Sequence, residues 1–142
     1  MTNRIYSPGE KLPSLTKLPI TKTQLVMYAG ASSDFNPIHT VEEFAQEAGL
    51  GGVIAHGMLT MAFVGQLLTD FIGDDGRLVT FGVRFQEMVR PGDVITCEGQ
   101  IEEVTSSDAS VRKVTTIECS VFARKDDGTK VVDGRAVFVV NE

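Results

Sequence analysis

Asp34 and His39 lie five residues apart in the run Ser32-Ser33-Asp34-Phe35-Asn36-Pro37-Ile38-His39. A carboxylate and an imidazole held near each other can take a proton from water and return one to carbon. The second histidine, His56, sits in another short block, Ala55-His56-Gly57-Met58-Leu59-Thr60, and the chain has no third. Gly57 begins a strongly apolar stretch. An N–H in the first turn of a helix has no intrahelical acceptor, and the helix dipole adds partial positive charge there. Such a donor suits an oxygen that turns into an oxyanion. Losing a comparable donor costs other enzymes about 3–4 kcal/mol. The two blocks point to an enzyme that builds an oxyanion and moves protons around it.

Each residue also has a plainer use. Asp34 fits a loop or cap, the histidines fit hydrogen-bonded structural positions, and Gly57 fits tight packing. Asp34, His39 and His56 match the composition of a two-His, one-carboxylate metal site. Their spacing does not put them on one rigid face, so no metal is expected.

The elements that must hold these residues are readable. Thr21-Lys22-Thr23-Gln24 matches a capping box, flanked by Ile20 and Leu25 as a hydrophobic staple. A helix should run from Lys22 to Ala29 and end near Gly30. Pro37 biases Asn36 toward an extended backbone. Thr40-Val41-Glu42-Glu43 reads as a second capping box, opening a short helix that stops at Gly49. From Gly57 to Ile72 apolar residues fall on nearly every side, the pattern of a buried helix. Gly73 to Gly76 should end it as a turn.

Period two then takes over. Val79, Phe81, Val83 and Phe85 alternate with polar residues, which is strand spacing. Residues 94–104, 110–124 and 130–140 read as three more strands. Ser106-Ser107-Asp108 and Asp126-Asp127-Gly128 are the expected hairpin turns. The first 19 residues are irregular, with room for one short strand. Helices first and strands second give an α+β class with an antiparallel sheet around one buried helix.

Composition narrows the partners. The chain has 142 residues, 42% hydrophobic and 23% charged, with a net charge of −6. One domain is expected. No basic run exists, so nucleic acid is an unsuitable partner. The apolar stretch is too short and too interrupted to span a bilayer. Residues 1–10 are polar, unlike a signal peptide, so a cytoplasmic protein is expected. Cys97 and Cys119 fall in strands, outside any CxxC pattern, and read as buried free thiols.

The run from Tyr28 to Ala45 resembles the signature of the MaoC-like dehydratases, or (R)-specific enoyl-CoA hydratases. Asp34, Asn36, Pro37, His39 and Ala45 match it. Ala55 to Leu59 resembles the block that opens the family's central helix. Ser33 stands where the family usually has Gly, and Gly65 where some relatives carry Ser. The resemblance implies the hotdog fold, an antiparallel sheet wrapped around a long helix, as one unit over 1–142. It implies reversible hydration of trans-2-enoyl-CoA to (R)-3-hydroxyacyl-CoA. Asp34 and His39 would share the acid and base roles, with Asp34 the principal base and the Gly57 N–H polarising the thioester carbonyl. Asn36 would hold the loop or orient the pair, and His56 would support it.

Gly65 and Leu68 are candidates for the acyl pocket. Arg84, with Arg90, is a candidate for coenzyme A phosphates or a carrier-protein surface, or else solvated or paired. No cofactor is expected, since coenzyme A belongs to the substrate. The family implies a homodimer, or a heterodimer in which this chain is the catalytic half and acts on acyl carrier protein. A hotdog thioesterase and a non-catalytic pairing subunit are the competing classes.

Overall fold

A computed structural model describes residues 4–109 and 112–141. The elements are β1 (Leu15–Thr16), α1 (Lys22–Ser32), a 3-10 turn (Pro37–His39), α2 (Glu42–Glu47) and α3 (Gly57–Ile72). A second 3-10 turn (Gly73–Asp75) leads to β2 (Gly76–Phe85), β3 (Ile95–Ala109), β4 (Arg112–Lys125) and β5 (Lys130–Asn141). The five strands form one sheet in the order β1-β3-β4-β5-β2, and every pairing is antiparallel.

The sheet curls around α3, as the alternating strands require. Leu59, Phe63, Val64, Leu67, Leu68, Phe71 and Ile72 pack into the same buried cluster as Ile95, Ile101, Ile117, Val121, Ala136 and Phe138. This is the hotdog architecture. Cys97 and Cys119 are buried free thiols in that core, and burial pushes both up to about 12. No helix among the described residues is long and apolar enough to cross a membrane.

The first capping box forms: Thr21 accepts the Gln24 N–H at 3.0 Å, and Ile20 and Leu25 are both buried. Four expectations change. Helix α1 runs through Gly30 to Ser32 and ends where Ser33 turns left-handed, at φ 59°. Thr40 caps nothing with its side chain; its N–H closes the Pro37 turn, and Val41 is the N-cap of α2. Ser106-Ser107-Asp108 is no turn, because β3 continues to Ala109; the connection at 110–111 lies outside the described residues. Helix α3 is not covered all round either: Met58 is 55% exposed, and Ala62 and Gln66 lie on the same open face. The Asp127 turn is as expected, with Gly128 at φ 86° and its N–H on the Lys125 carbonyl.

Candidate active site

Three pieces of chain meet at the N-terminus of α3. Helix α1 delivers the loop bearing Asp34. Asn36 has ψ 121°, the extended backbone its proline neighbour demands. Its side-chain oxygen accepts the Ile38 N–H at 3.2 Å, so Asn36 holds the loop. The Pro37 turn then brings His39 inward, to 8% exposure.

Asp34 and His39 are each pinned at one side-chain atom and free at another. Asp34 Oδ1 accepts the Asn36 N–H at 3.2 Å. Its other oxygen, Oδ2, lies 3.8 Å from His39 Nε2. His39 Nδ1 lies 2.7 Å from the Ile54 carbonyl oxygen. A carbonyl can only accept, so Nδ1 carries the hydrogen and Nε2 of the neutral ring is an acceptor. Two acceptors therefore face each other across 3.8 Å. That separation is too long for a direct hydrogen bond and suits a molecule that donates to both.

His56 lies behind this pair. Its ring stacks on His39 with centroids 3.8 Å apart and planes 24° apart, and Tyr28 meets it edge-on at 4.9 Å. His56 Nε2 is 3.2 Å from the Asp34 main-chain oxygen, so it is the donor there. Nδ1 is buried and finds no partner among the described residues. Desolvation by burial, with the His39 charge adding, lowers the His56 pKa against the opposing effects of the Asp34 carbonyl and carboxylate. His56 is a neutral wall that fixes the Asp34 backbone and one face of His39.

Ligand atoms of Asp34, His39 and His56 lie within 4.8 Å of one another. The fold thus brings together three groups whose spacing in sequence puts them on no common face.

Gly57 is the first residue of α3, with His56 as its N-cap. No backbone acceptor among the described residues takes its N–H. A Cβ here would stand 3.0 Å from the Phe85 ring. Gly65 faces the same strand, where a Cβ would meet only Phe81, at 3.6 Å.

The other candidates are placed differently. Leu68 is fully buried in the core and offers no surface to a ligand. Phe81 and Phe85 of β2 face α3, so Arg84 points from the opposite side of the strand and is not brought to the site. Arg90 is spent on main-chain carbonyls: it donates to Leu50 at 2.5 Å and to Gly52 at 3.3 Å. Sequence reasoning missed Tyr28 and the Ile54 carbonyl. Tyr28 carried a weak signal, six residues before Asp34 near the end of α1. A backbone carbonyl carries none.

With this geometry established, comparisons with known proteins place the chain. It belongs to the MaoC-like dehydratase family, whose MaoC like domain matches residues 5–121. It is 31% identical over 122 residues to an (R)-specific enoyl-CoA hydratase from Rhodospirillum rubrum, covering 85% of this chain and 80% of that one. It is 45% identical over 73 residues to fatty acid synthase subunit beta from Aspergillus oryzae. That match covers 49% of this chain and 4% of the much longer relative. R-hydratase PhaJ1 from Pseudomonas aeruginosa superposes with a TM-score of 0.82 at 25% identity, covering 96% of this chain and 83% of that one. The fold recurs in the ChsH1–ChsH2 complex from Mycobacterium tuberculosis, with a TM-score of 0.80, 22% identity and coverage of 97% and 100%.

Proposed function

We propose that this protein is a hydro-lyase that adds water reversibly to trans-2-enoyl-CoA and yields (R)-3-hydroxyacyl-CoA. The observation that carries this reading is the pair of acceptors, Asp34 Oδ2 and His39 Nε2, facing each other at 3.8 Å with their other polar atoms already bound. A water donating one hydrogen to each is left with its lone pairs turned outward, toward C3 of the alkene. As oxygen bonds to C3, Asp34 takes the water proton. The π electrons move onto the thioester oxygen, where the Gly57 N–H and the α3 dipole stabilise the enolate. Collapse of the enolate takes a proton at C2 from the Asp34–His39 pair, which ends the turnover as it began. Substrate and water supply every atom, and no cofactor or metal enters the scheme.

The same proposal places the protein in the cytoplasm and pairs it with a second copy of itself. The open face of α3 and the exposed apolar rings beside the site support pairing. A different chain as partner, with substrate on acyl carrier protein, is the second outcome.

The test is loss of enoyl absorbance with crotonyl-CoA, followed by chiral analysis of the product and a repeat with chelator. The (R)-alcohol and unchanged turnover are expected. An (S)-product, chelator-sensitive turnover restored by zinc, or release of free thiol from a saturated acyl-CoA overturns the proposal.

A further inference from the structure

The loop between α2 and α3 supplies the carbonyl that sets the His39 tautomer, yet it is built from soft backbone. Gly49, Gly51 and Gly52 have φ of 79°, 74° and 135°. Three such glycines within four residues leave a segment with little conformational preference of its own. Two residues later the same segment must be placed to hydrogen-bond accuracy. The Ile54 N–H donates to the Ile38 carbonyl at 3.2 Å, and its carbonyl receives His39 Nδ1–H at 2.7 Å.

Arg90 spans this loop. Its two terminal nitrogens hold the Leu50 and Gly52 carbonyls at 2.5 and 3.3 Å. Arg90 is itself anchored, because its main-chain N–H donates to Asp93 Oδ2 at 2.8 Å and that oxygen pairs with Lys125 Nζ at 2.8 Å. Its neighbour Val89 accepts the Ala55 N–H at 2.7 Å, so one short segment grips the loop on both sides of Ile54. Glu42 stands beside Arg90 at Gly52. A Cβ on Gly52 would lie 2.5 Å from Glu42 Oε1, and the carboxylate pairs with Lys22 at 3.0 Å.

We propose that Arg90 is a positioning residue: by holding the Leu50 and Gly52 carbonyls, it keeps the Ile54 carbonyl on His39 Nδ1 and thereby keeps Nε2 the acceptor that faces Asp34. It touches neither substrate nor the reacting atoms. Lysine is an incomplete substitute, since a point-like ammonium lacks the planar fork that takes both carbonyls at once. The effect on rate rests on the proposed hydratase reaction, whereas the effect on the tautomer does not.

Long-range ¹H–¹⁵N spectra of the full chain labelled at histidine read the tautomer directly. The two imidazoles are assigned by comparison with His39→Gln. Wild type should show His39 as Nδ1–H and His56 as Nε2–H. In Arg90→Met the His39 pattern should move toward mixed tautomers. Its kcat with crotonyl-CoA should fall by about 10²-fold, the scale of a misplaced reacting group, with KM little changed. Arg90→Lys should fall between the two in both readouts. A pure Nδ1–H tautomer in Arg90→Met overturns the inference whatever the rate does, and so does a mixed tautomer with undiminished kcat. If Arg90→Met fails to fold, Arg90→Lys is judged by the same criteria. If wild type hydrates no enoyl thioester, the functional proposal fails while the tautomer spectra still decide the role of Arg90.

Discussion

At the residue scale the proposed chemistry depends on which nitrogen carries a hydrogen. His39 gives its Nδ1–H to Ile54 and presents Nε2 to Asp34. Asp34→Asn keeps an acceptor for the Asn36 N–H but removes the proposed base, and His39→Gln removes the imidazole. Each should lower kcat by about 10²–10⁴-fold, the usual value of positioned proton transfer. Circular dichroism should remain that of wild type; near-wild-type turnover in either variant would sink the mechanism. His56 makes a separate prediction. Burial first, and the His39 charge with it, puts its folded pKa below the ordinary 6.5. Below that pH the unfolded chain takes up a proton that the folded chain resists. Stability is therefore full above pH 6.5 and is lost as the pH falls through the folded value. Melting temperatures between pH 8 and pH 5 should fall more steeply in wild type than in His56→Asn, and equal slopes would remove this role. The acid and the imidazole were legible because side chains spell them out. The tautomer was not, since it is set by a main-chain oxygen that any residue at position 54 would supply.

At the element scale α3 and β2 together shape the space beside the site. Gly57 and Gly65 both face β2, one against Phe85 and the other against Phe81. A Cβ at position 65 fits at ordinary contact distance, 3.6 Å from the Phe81 ring, and a leucine adds three further carbons beyond it. Gly65→Leu should thus penalise long enoyl-CoAs far more than crotonyl-CoA, measured as kcat/KM across chain length. An equal loss for all lengths would make Gly65 a packing glycine. Leu68, packed into the core, takes no part in this expectation. The helix itself was readable from its apolar run, with bounds of Gly57 and Ile72 in both sequence and structure. The errors came where local signals compete. Thr40 looks like a cap, yet its N–H closes the turn that Pro37 begins. Ser106 to Asp108 have turn composition, yet Ser106 and Thr115 pair side chains across β3 and β4 at 3.2 Å and the ladder continues. Gly30 looked like a helix end, but two further residues joined the helix before Ser33 left the right-handed region.

At the scale of the whole molecule, one edge of the sheet and one face of the central helix lie open. Strand β2 pairs with β5 on one side, while Met58 and Phe85 are 55% and 50% exposed. Apolar surface of this kind marks association. Sedimentation equilibrium should give twice the chain mass of 15.4 kDa. A monomer that gains activity only with a second, related chain would select the heterodimer instead. The pairing of β2 has another consequence, one that concerns time. Thr80 pairs with Val137 and Phe85 with Val132, so the strand that covers α3 finds its ladder partner some fifty residues later. Contacts between such distant segments close slowly, because the loop entropy is lost before the contact is gained. During synthesis the helix that opens the site is made early, but β2 has no strand to pair with until β5 leaves the ribosome. A chain stalled after Lys125 would hold every proposed reacting group and no ladder for β2. On this topology the ladder that holds β2 over α3 waits on the last strand, not on the segment that carries Asp34 and His39.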